Sequence, residues 1–202
     1  MEGKKDTVFV LGGPGSGKGT QCQLLASRKN CVTAEQNLKI STIGTGDLIR
    51  AELHKDTDQA KIIKDCLDQG KLVPSEITCG LVKKQFEECE GDTLVVLDGY
   101  PRNFENVREF EKQLASSVNL IKVIYIRVSE DVMRGRIMKR AEKEDRDAYD
   151  KDSDICNKRI SSFFEETLPV IEQYAEEGIL EEIDGELEVE EVYERICQML
   201  DI

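Results

Sequence analysis

The chain has 202 residues, with 41 Asp and Glu against 28 Lys and Arg and a net charge of −13. This length suits one domain with insertions around a sizeable core. The acidic balance argues against nucleic-acid or anionic-membrane binding, because both depend on a positive field.

Apolar runs rich in β-branched residues alternate along the chain with segments of helical periodicity. They span residues 7–11, 39–43, 93–97, 120–128 and 179–183. Alternation of this kind predicts an α/β fold in which parallel strands are joined by crossover helices.

The first run leads directly into a glycine-rich segment, residues 12–20, that carries one lysine, Lys18. Glycines let several backbone N–H groups point at one anion, and the helix that follows adds the positive end of its dipole. The spacing fits G-x-x-x-x-G-K, although Gly19 stands where Ser or Thr normally meets magnesium and Thr20 is the nearest hydroxyl. The segment predicts a phosphate-binding loop. A plain glycine-rich turn is the alternative, and a dinucleotide fingerprint would need glycine in place of Thr20.

Two segments exceed a minimal strand–helix alternation. The first, residues 47–90, shows helical runs at 48–53, 60–67 and 77–86. The second, residues 141–154, is polar and nearly free of apolar side chains. It suits a lid over a ligand and equally a solvated loop.

Asp98 follows the third run and precedes Gly99, Tyr100, Pro101 and Arg102. In a parallel sheet this carboxylate would lie beside the phosphate loop, where it can hold Mg²⁺ through water. The arginine, next to a rigid proline, would aim a forked donor pair at a phosphate. Arginines recur after the fourth run, and four of them are candidates for the same site: Arg136, Arg140, Arg146 and Arg159. Taken alone they could form surface ion pairs, but beside a phosphate loop they indicate anion binding.

Seven cysteines are scattered along the chain without C-x-x-C spacing, so neither a zinc site nor a disulfide framework is indicated. No segment has the apolar length of a membrane span, and the first residues lack the hydrophobic stretch of a secretion signal. We therefore expect free thiols, a cytoplasmic location and no membrane partner.

In order, these motifs resemble those of the adenylate kinase family, which includes the UMP-CMP kinases, over nearly the whole chain. The matching segments are 12–21, 45–50, 70–74 and 98–102, with the arginines at 136, 140, 146 and 159. The resemblance implies a P-loop NTPase three-layer sandwich with a five-stranded parallel sheet. It divides a single domain, 1–202, into a core (1–44, 76–139 and 155–202), a monophosphate-binding insertion (45–75) and a short lid (140–154). It also implies phosphoryl transfer from ATP to a nucleoside monophosphate, with Mg²⁺.

The resemblance assigns roles by position. Four arginines would surround the transferring group: Arg136, Arg140, Arg146 and Arg159. The catalytic residues would be Lys18, Arg102, Arg136, Arg146 and Arg159. ATP would contact Gly13, Pro14, Gly15, Ser16, Gly17, Lys18, Gly19, Thr20, Arg140 and Leu187, with Arg140 also placed to stack on the adenine. The acceptor would contact Thr45, Arg50, Lys71, Leu72, Val73, Gly99, Tyr100, Pro101, Arg102, Asn106, Arg146 and Arg159. Thr20 and Asp98 would hold Mg²⁺ through water.

The acceptor base is indicated by the segment 101–106. UMP-CMP kinases have Pro-Arg-Asn-x-x-Asn, which matches this segment, whereas adenylate kinases usually have glutamine four residues after the arginine. Asn106 would then face the base edge, where a buried polar group left unpaired is costly. Thr45 and Tyr100 are instead common in adenylate kinases. We expect UMP and CMP as acceptors of a monomeric kinase, with AMP as the alternative.

Two other classes fit less well. A P-loop GTPase or ATPase switch would need Ser or Thr at position 19 and an Asn-Lys-x-Asp motif, and neither is present. A regulatory nucleotide sensor would keep Lys18 but could dispense with the arginines.

Overall fold

The structure, a computed structural model, describes residues 3–27, 39–90, 93–143 and 152–202, with the backbone alone for 140–143. Within these ranges the strands are β1 (Lys5–Leu11), β2 (Lys39–Gly44), β3 (Thr93–Asp98), β4 (Val118–Arg127) and β5 (Leu180–Asp184). The helices are α1 (Lys18–Ser27), α2 (Thr45–Leu53), α3 (Asp58–Asp68), α4 (Ser75–Glu87), α5 (Phe104–Leu114), α6 (Glu130–Lys143), α7 (Ser153–Ser162), α8 (Leu168–Glu176) and α9 (Val189–Met199). A π-helical segment, Phe163–Thr167, joins α7 to α8.

The five strands form one parallel sheet in the order β2-β3-β1-β4-β5. Each apolar run of the sequence becomes a strand, so the α/β prediction is confirmed. The chain adds strands on one side of β1 and then on the other, which makes the carboxyl end of β1 a point where the strand order reverses. Ligands of open α/β sheets bind at such a point.

Helices cover both faces of the sheet because successive strand side chains point to opposite sides. On one face, Phe9 of β1 packs against Phe110 of α5 in an edge-to-face pair with ring centroids 5.2 Å apart. On the other face, Val8 packs in a cluster with residues of α1 and α9. An apolar cluster therefore lies on each face of the sheet, which confirms the three-layer sandwich.

A third, smaller apolar cluster lies away from the sheet. It joins Ile49 of α2, Ile63 of α3 and Val73, all buried. The three residues fall within the segment 45–75 that the sequence predicts as an insertion. This segment therefore has apolar contacts of its own between its helices.

Two further features concern the length of the helices and the state of the cysteines. In the described ranges, no helix combines the length and the apolar character needed to cross a membrane. The six cysteines of these ranges are free thiols, and Cys31 lies outside the described residues.

Strand β4 offers a matched test of this packing. Ile124 is 0% exposed and Ile121 is 42% exposed. We expect Ile124→Ala to lower the free energy of unfolding by about 2–5 kcal/mol, because it leaves a cavity in the core. Ile121→Ala should change it by less than about 0.5 kcal/mol. Urea denaturation of both variants measures the difference, and equal losses would contradict the assignment of the two side chains to core and surface.

Candidate active site

The glycine-rich segment forms a tight loop between β1 and α1. Gly15 and Gly17 have φ of +76° and +91°, which residues with a Cβ rarely adopt. Ser16 is buried, and its Oγ has no hydrogen-bond partner among the described residues. The loop leads straight into the first turn of α1, whose free N–H groups favour an anion.

Lys18 lies at the start of α1 and folds back over the loop. Its Nζ donates a hydrogen bond to the carbonyl of Gly13 at 2.9 Å. Burial lowers the pKa of Lys18 to about 8, Asp98 acts in the opposite direction, and Arg102 and Arg159 lower the pKa further. The ammonium therefore belongs to a group of four charged side chains contributed by four separate elements or turns.

Asp98 reaches this group through strand pairing. It pairs with Val10 in the register of β3 on β1, and the next N–H, of Gly99, donates to the Val10 carbonyl at 2.9 Å. Burial raises the pKa of Asp98, and the nearby charge of Lys18 offsets part of this increase. A Cβ on Gly19 would lie 3.3 Å from Asp98 Oδ2, so the carboxylate occupies the space that a side chain at this position would need.

A first cavity of about 150 Å³ lies between the phosphate loop, the segment 45–75 and α7. Its charged lining consists of Lys18, Arg50, Lys71, Arg102 and Arg159. Leu72, Gly99 and Pro101, which the sequence assigns to the acceptor, also line it. Five cationic side chains around one small cavity, in a chain of net charge −13, make it a site for an anion.

The arginines of this cavity are held by neighbouring oxygens. Nε of Arg102 donates to the carbonyl of Gly99 at 2.8 Å, and Arg50 donates to Asp47 at 2.5 Å. Burial, together with the nearby charges of Arg159 and Arg50, lowers the pKa of Arg102 to about 10, and Asp98 opposes this shift. The guanidinium of Arg102 therefore stays protonated at neutral pH.

Four predicted acceptor contacts do not line this cavity: Thr45, Val73, Tyr100 and Asn106. Val73 belongs to the apolar cluster of the segment 45–75. The ring of Tyr100 is in the core, and its hydroxyl donates to the main-chain carbonyl of Asn106 at 2.9 Å. The Thr45 hydroxyl lies 3.1 Å from the carbonyls of both Asp98 and Gly99. In the described structure these side chains lie behind the lining of the first cavity, and their contact with an acceptor stays a prediction.

Asn106 differs most from the sequence-based expectation. Its amide does not face the cavity, because Oδ1 accepts a hydrogen bond from the Arg102 N–H and Nδ2 donates to Ser75 Oγ. The side chain is buried. A single sequence could not show this, since Ser75 lies in another element and nothing in its local pattern marks it as a partner.

A second cavity, of about 350 Å³, lies on the other side of the loop. Most of the predicted ATP contacts line it: Gly15, Ser16, Gly17, Lys18, Gly19, Thr20 and Leu187. Pro14 lines the first cavity instead, and Gly13 faces Met133, whose Sδ would lie 2.5 Å from a Cβ on that glycine. Only the Lys18 side chain, among the charged groups of the described residues, lines both cavities.

Arg136 lies in the second cavity and not with the arginines of the first. Its guanidinium donates to the carbonyls of Gly185, at 2.9 Å, and Gly15, at 3.4 Å. The role of Arg136 at the transferring group therefore stays a prediction, and its position favours a contact with the ligand of the second cavity. This position follows from the orientation of α6, which sets Arg136 against the turn after β5.

Two other predicted residues cannot be compared. Arg146, with most of the predicted lid, and the side chain of Arg140 lie outside the described residues. The sequence assigned no role to Thr167, nor to Gln21, which is the last residue of the matching segment 12–21. Gln21 is buried on the wall of the second cavity and donates to the carbonyl of Val189 at 2.9 Å. Thr167 lies in the π-helical segment at the first cavity.

Comparisons with known proteins agree with this arrangement. The family model described as adenylate kinase matches residues 10–179. UMP-CMP kinase 1 of Oryza sativa subsp. japonica is 36% identical over 96% of this chain and 74% of its own length. Adenylate kinase 1 of Schistosoma mansoni is 35% identical over 96% and 91%, and adenylate kinase isoenzyme 1 of Rattus norvegicus is 31% identical over 98% and 95%.

The matched residues include the phosphate loop, Asp98 with Arg102, and Arg159 on α7. All the residues that line the first cavity lie in this matched range, as do the loop and Arg136 at the second cavity, whose remaining wall (Gly185, Leu187, Val189 and Val192) follows it. The chain belongs to the adenylate kinase family and is a nucleoside monophosphate kinase.

Proposed function

We propose that this kinase transfers the terminal phosphoryl group of ATP to UMP or CMP, giving ADP and the nucleoside diphosphate, with AMP as the alternative acceptor. One observation supports separate sites for the donor and the acceptor. Lys18 lines both cavities, so the phosphate loop lies between a donor site and an acceptor site. ATP would occupy the second cavity and the monophosphate the first. Both sites are built from one chain, so the kinase needs no second copy and would act as a monomer.

The acceptor site would work by electrostatics. Arg50, Arg102 and Arg159 line the first cavity, and guanidinium forks bind phosphate oxygens in pairs. Phosphoryl transfer depends on in-line placement and on neutralising charge over the transferring oxygens. No general base is needed, because the attacking oxygen of a monophosphate is already ionised. Two bound substrates would fill the site and exclude water, which could otherwise accept the phosphoryl group in place of the monophosphate.

The donor site would use the loop and the wall of the second cavity. The loop N–H groups and the first turn of α1 would bind the phosphates of ATP, with Lys18 leaving the Gly13 carbonyl to contact them. Arg136 and Leu187 line the same cavity, and a guanidinium plane stacks well on an aromatic base. We therefore assign the adenine-stacking role to Arg136 in place of Arg140.

The residues present fit Mg²⁺ bound together with the triphosphate. The described residues contain no group of three or more His, Cys, Asp or Glu side chains placed to hold a metal. Mg²⁺ keeps several waters, however, and commonly binds through one or two carboxylates plus substrate phosphates. Asp98 beside the loop and Thr20 on the second cavity would serve as such partners through water. The ion would neutralise charge on the transferring phosphates.

The acceptor base is proposed from the sequence. The segment 101–106 has the pattern of the pyrimidine kinases, and the apolar side chains of Ile49, Leu67 and Leu72 on the first cavity offer a base a nonpolar contact. In a coupled assay of ADP production from ATP, we expect the highest kcat/KM with UMP and CMP, a lower value with AMP and the lowest with GMP. A preference for AMP would support the alternative acceptor.

The pKa of Lys18 predicts a pH dependence of donor binding. With a pKa of about 8, free Lys18 loses its charge as the pH rises from 7 to 9, and its contribution to phosphate binding is lost with it. We expect the association constant for ATP, measured by calorimetry, to fall about tenfold between pH 7 and pH 9. Lys18→Arg should bind more weakly but without this fall, because arginine keeps its proton. A flat wild-type profile would contradict the prediction.

Two arginines on α6 allow the effect of losing a contact in the second cavity to be compared with the effect of losing a charge elsewhere on the same helix. Arg136 lines the second cavity, whereas Arg134 lines neither cavity and instead contacts Glu130 and Asn157. We expect Arg136→Ala to raise the KM for ATP by about tenfold, as the loss of a charge-assisted contact implies, with little change in the acceptor KM. Arg134→Ala is the matched control and should change neither value. An Arg136→Ala variant that is impaired equally toward both substrates would instead place this arginine at the transferring group.

A further inference from the structure

The π-helical segment between α7 and α8 places one buried hydroxyl against the acceptor site. Thr167, the last residue of this segment, is 6% exposed, and its Oγ1 donates a hydrogen bond to the main-chain carbonyl of Arg102 at 2.7 Å. Two parts of the chain that are 65 positions apart in the sequence meet at this bond. Because π-helical turns are rare and frequently occur at functional sites, this contact is a candidate functional feature.

Thr167 shares one face of its helical stretch with an arginine of the first cavity. Arg159 of α7, Phe163 and Thr167 follow one another at intervals of four residues, and all three line this cavity. Phe163 is 4% exposed and packs near Tyr125 of β4, with ring centroids 6.4 Å apart. This packing fixes the stretch on the sheet, so Arg159 and the Thr167 hydroxyl approach the cavity from one element.

Arg102 and Arg159 carry like charges at the same cavity. Burial lowers the pKa of Arg102 to about 10, and the neighbouring charge of Arg159 acts in the same direction. Two cations that repel each other keep their places only if the surrounding structure holds them. Gly99 and Thr45 hold the guanidinium of Arg102, at 2.8 Å and 3.3 Å. Thr167 holds its main chain and so ties Arg102 directly to the helical stretch that carries Arg159.

We propose that Thr167 is a positioning residue for the acceptor phosphate: its hydroxyl fixes the main chain of Arg102 relative to Arg159, so that both guanidinium groups reach the same phosphate. The inference rests on the proposed function in taking these two arginines as ligands of the acceptor phosphate. Every nucleoside monophosphate carries this phosphate. Loss of the hydroxyl should therefore impair all acceptors by the same factor, in contrast to the loss of a side chain that contacts the base.

Two substitutions at position 167 isolate the hydroxyl. Valine has nearly the shape of threonine but cannot donate a hydrogen bond, whereas serine keeps the donor and lacks the methyl group. In the coupled assay with UMP, CMP and AMP, we expect Thr167→Val to lower kcat/KM for each acceptor by about tenfold and by the same factor, because a displaced arginine impairs in-line placement. The Kd of ATP, from calorimetry, should not change. Thr167→Ser should keep most of the wild-type kcat/KM.

Thr7 offers a matched control for the loss of a buried threonine hydroxyl. It is 0% exposed, and its Oγ1 donates to the Lys5 carbonyl at 3.1 Å, at the end of β1 that lies away from the phosphate loop. Thr7→Val removes the same kind of bond and should leave kcat/KM unchanged for every acceptor. Urea denaturation of both variants separates a loss of catalysis from a loss of stability. If Thr167→Val does not fold, Thr167→Ala gives the same comparison, since it also removes the hydroxyl.

A double variant decides whether the hydroxyl acts through the arginine. For Arg102→Ala, kcat/KM stays measurable even when the acceptor cannot be saturated. If Thr167 works by placing the Arg102 guanidinium, adding Thr167→Val to Arg102→Ala should change kcat/KM little. A further loss of the full tenfold in that background would overturn the inference, because the hydroxyl would then act without the arginine.

Three other results would also overturn the inference. They are a loss confined to one acceptor base, an equal loss in Thr167→Ser and Thr167→Val, and lower stability of Thr167→Val with unchanged kcat/KM. Failure of the proposed function has a different signature, namely a wild type that binds monophosphates but transfers no phosphoryl group. The Kd values of the monophosphates for wild type, Thr167→Val and Thr167→Ser would then still decide the role of Thr167.

Discussion

The parallel pairing of β1 with β3 is the constraint on which the site depends. In this register Val10 lies opposite Asp98, so the loop that follows β1 and the turn that follows β3 leave the sheet side by side. Lys18 and Arg102 then come together although 84 positions separate them in the sequence. The apolar sheet positions supply the stability of this pairing. Polar residues at its carboxyl edge supply the charge, where a ligand can reach them.

The concentration of buried charge at this edge of the sheet shifts the pKa values of the residues that lie there. Burial lowers the pKa of Lys18 to about 8 and of Arg102 to about 10, because each cation has lost water and lies near others. Asp98 offsets part of this repulsion, and burial raises its own pKa. A second carboxylate, Asp47, pairs with Arg50, so among the described residues these two carboxylates lie beside the five cations of the first cavity. Anionic phosphates, which bring the opposite charge, stabilise these cations.

The two cavities are lined by different kinds of residues. The first is walled by guanidinium groups from α2, α7 and the turn after β3, together with a few apolar side chains. The second is formed by the loop, Arg136 and the turn after β5. Hydrogen bonds behind the first wall join Arg102 to Thr45 and Thr167. Position matters here because in-line transfer tolerates little displacement.

The five strands, the phosphate loop and the candidate arginines could be predicted from the sequence, because each is recognised from contiguous residues or from the two-residue and 3.6-residue periods. The contact of Arg136 with the Gly185 carbonyl, 49 positions away, and that of Asn106 with Ser75, 31 positions away, follow from the fold alone. An amide or a guanidinium can serve a ligand or a neighbouring main chain equally well. Which of the two it serves depends on the groups that the fold brings next to it, and no local pattern records them.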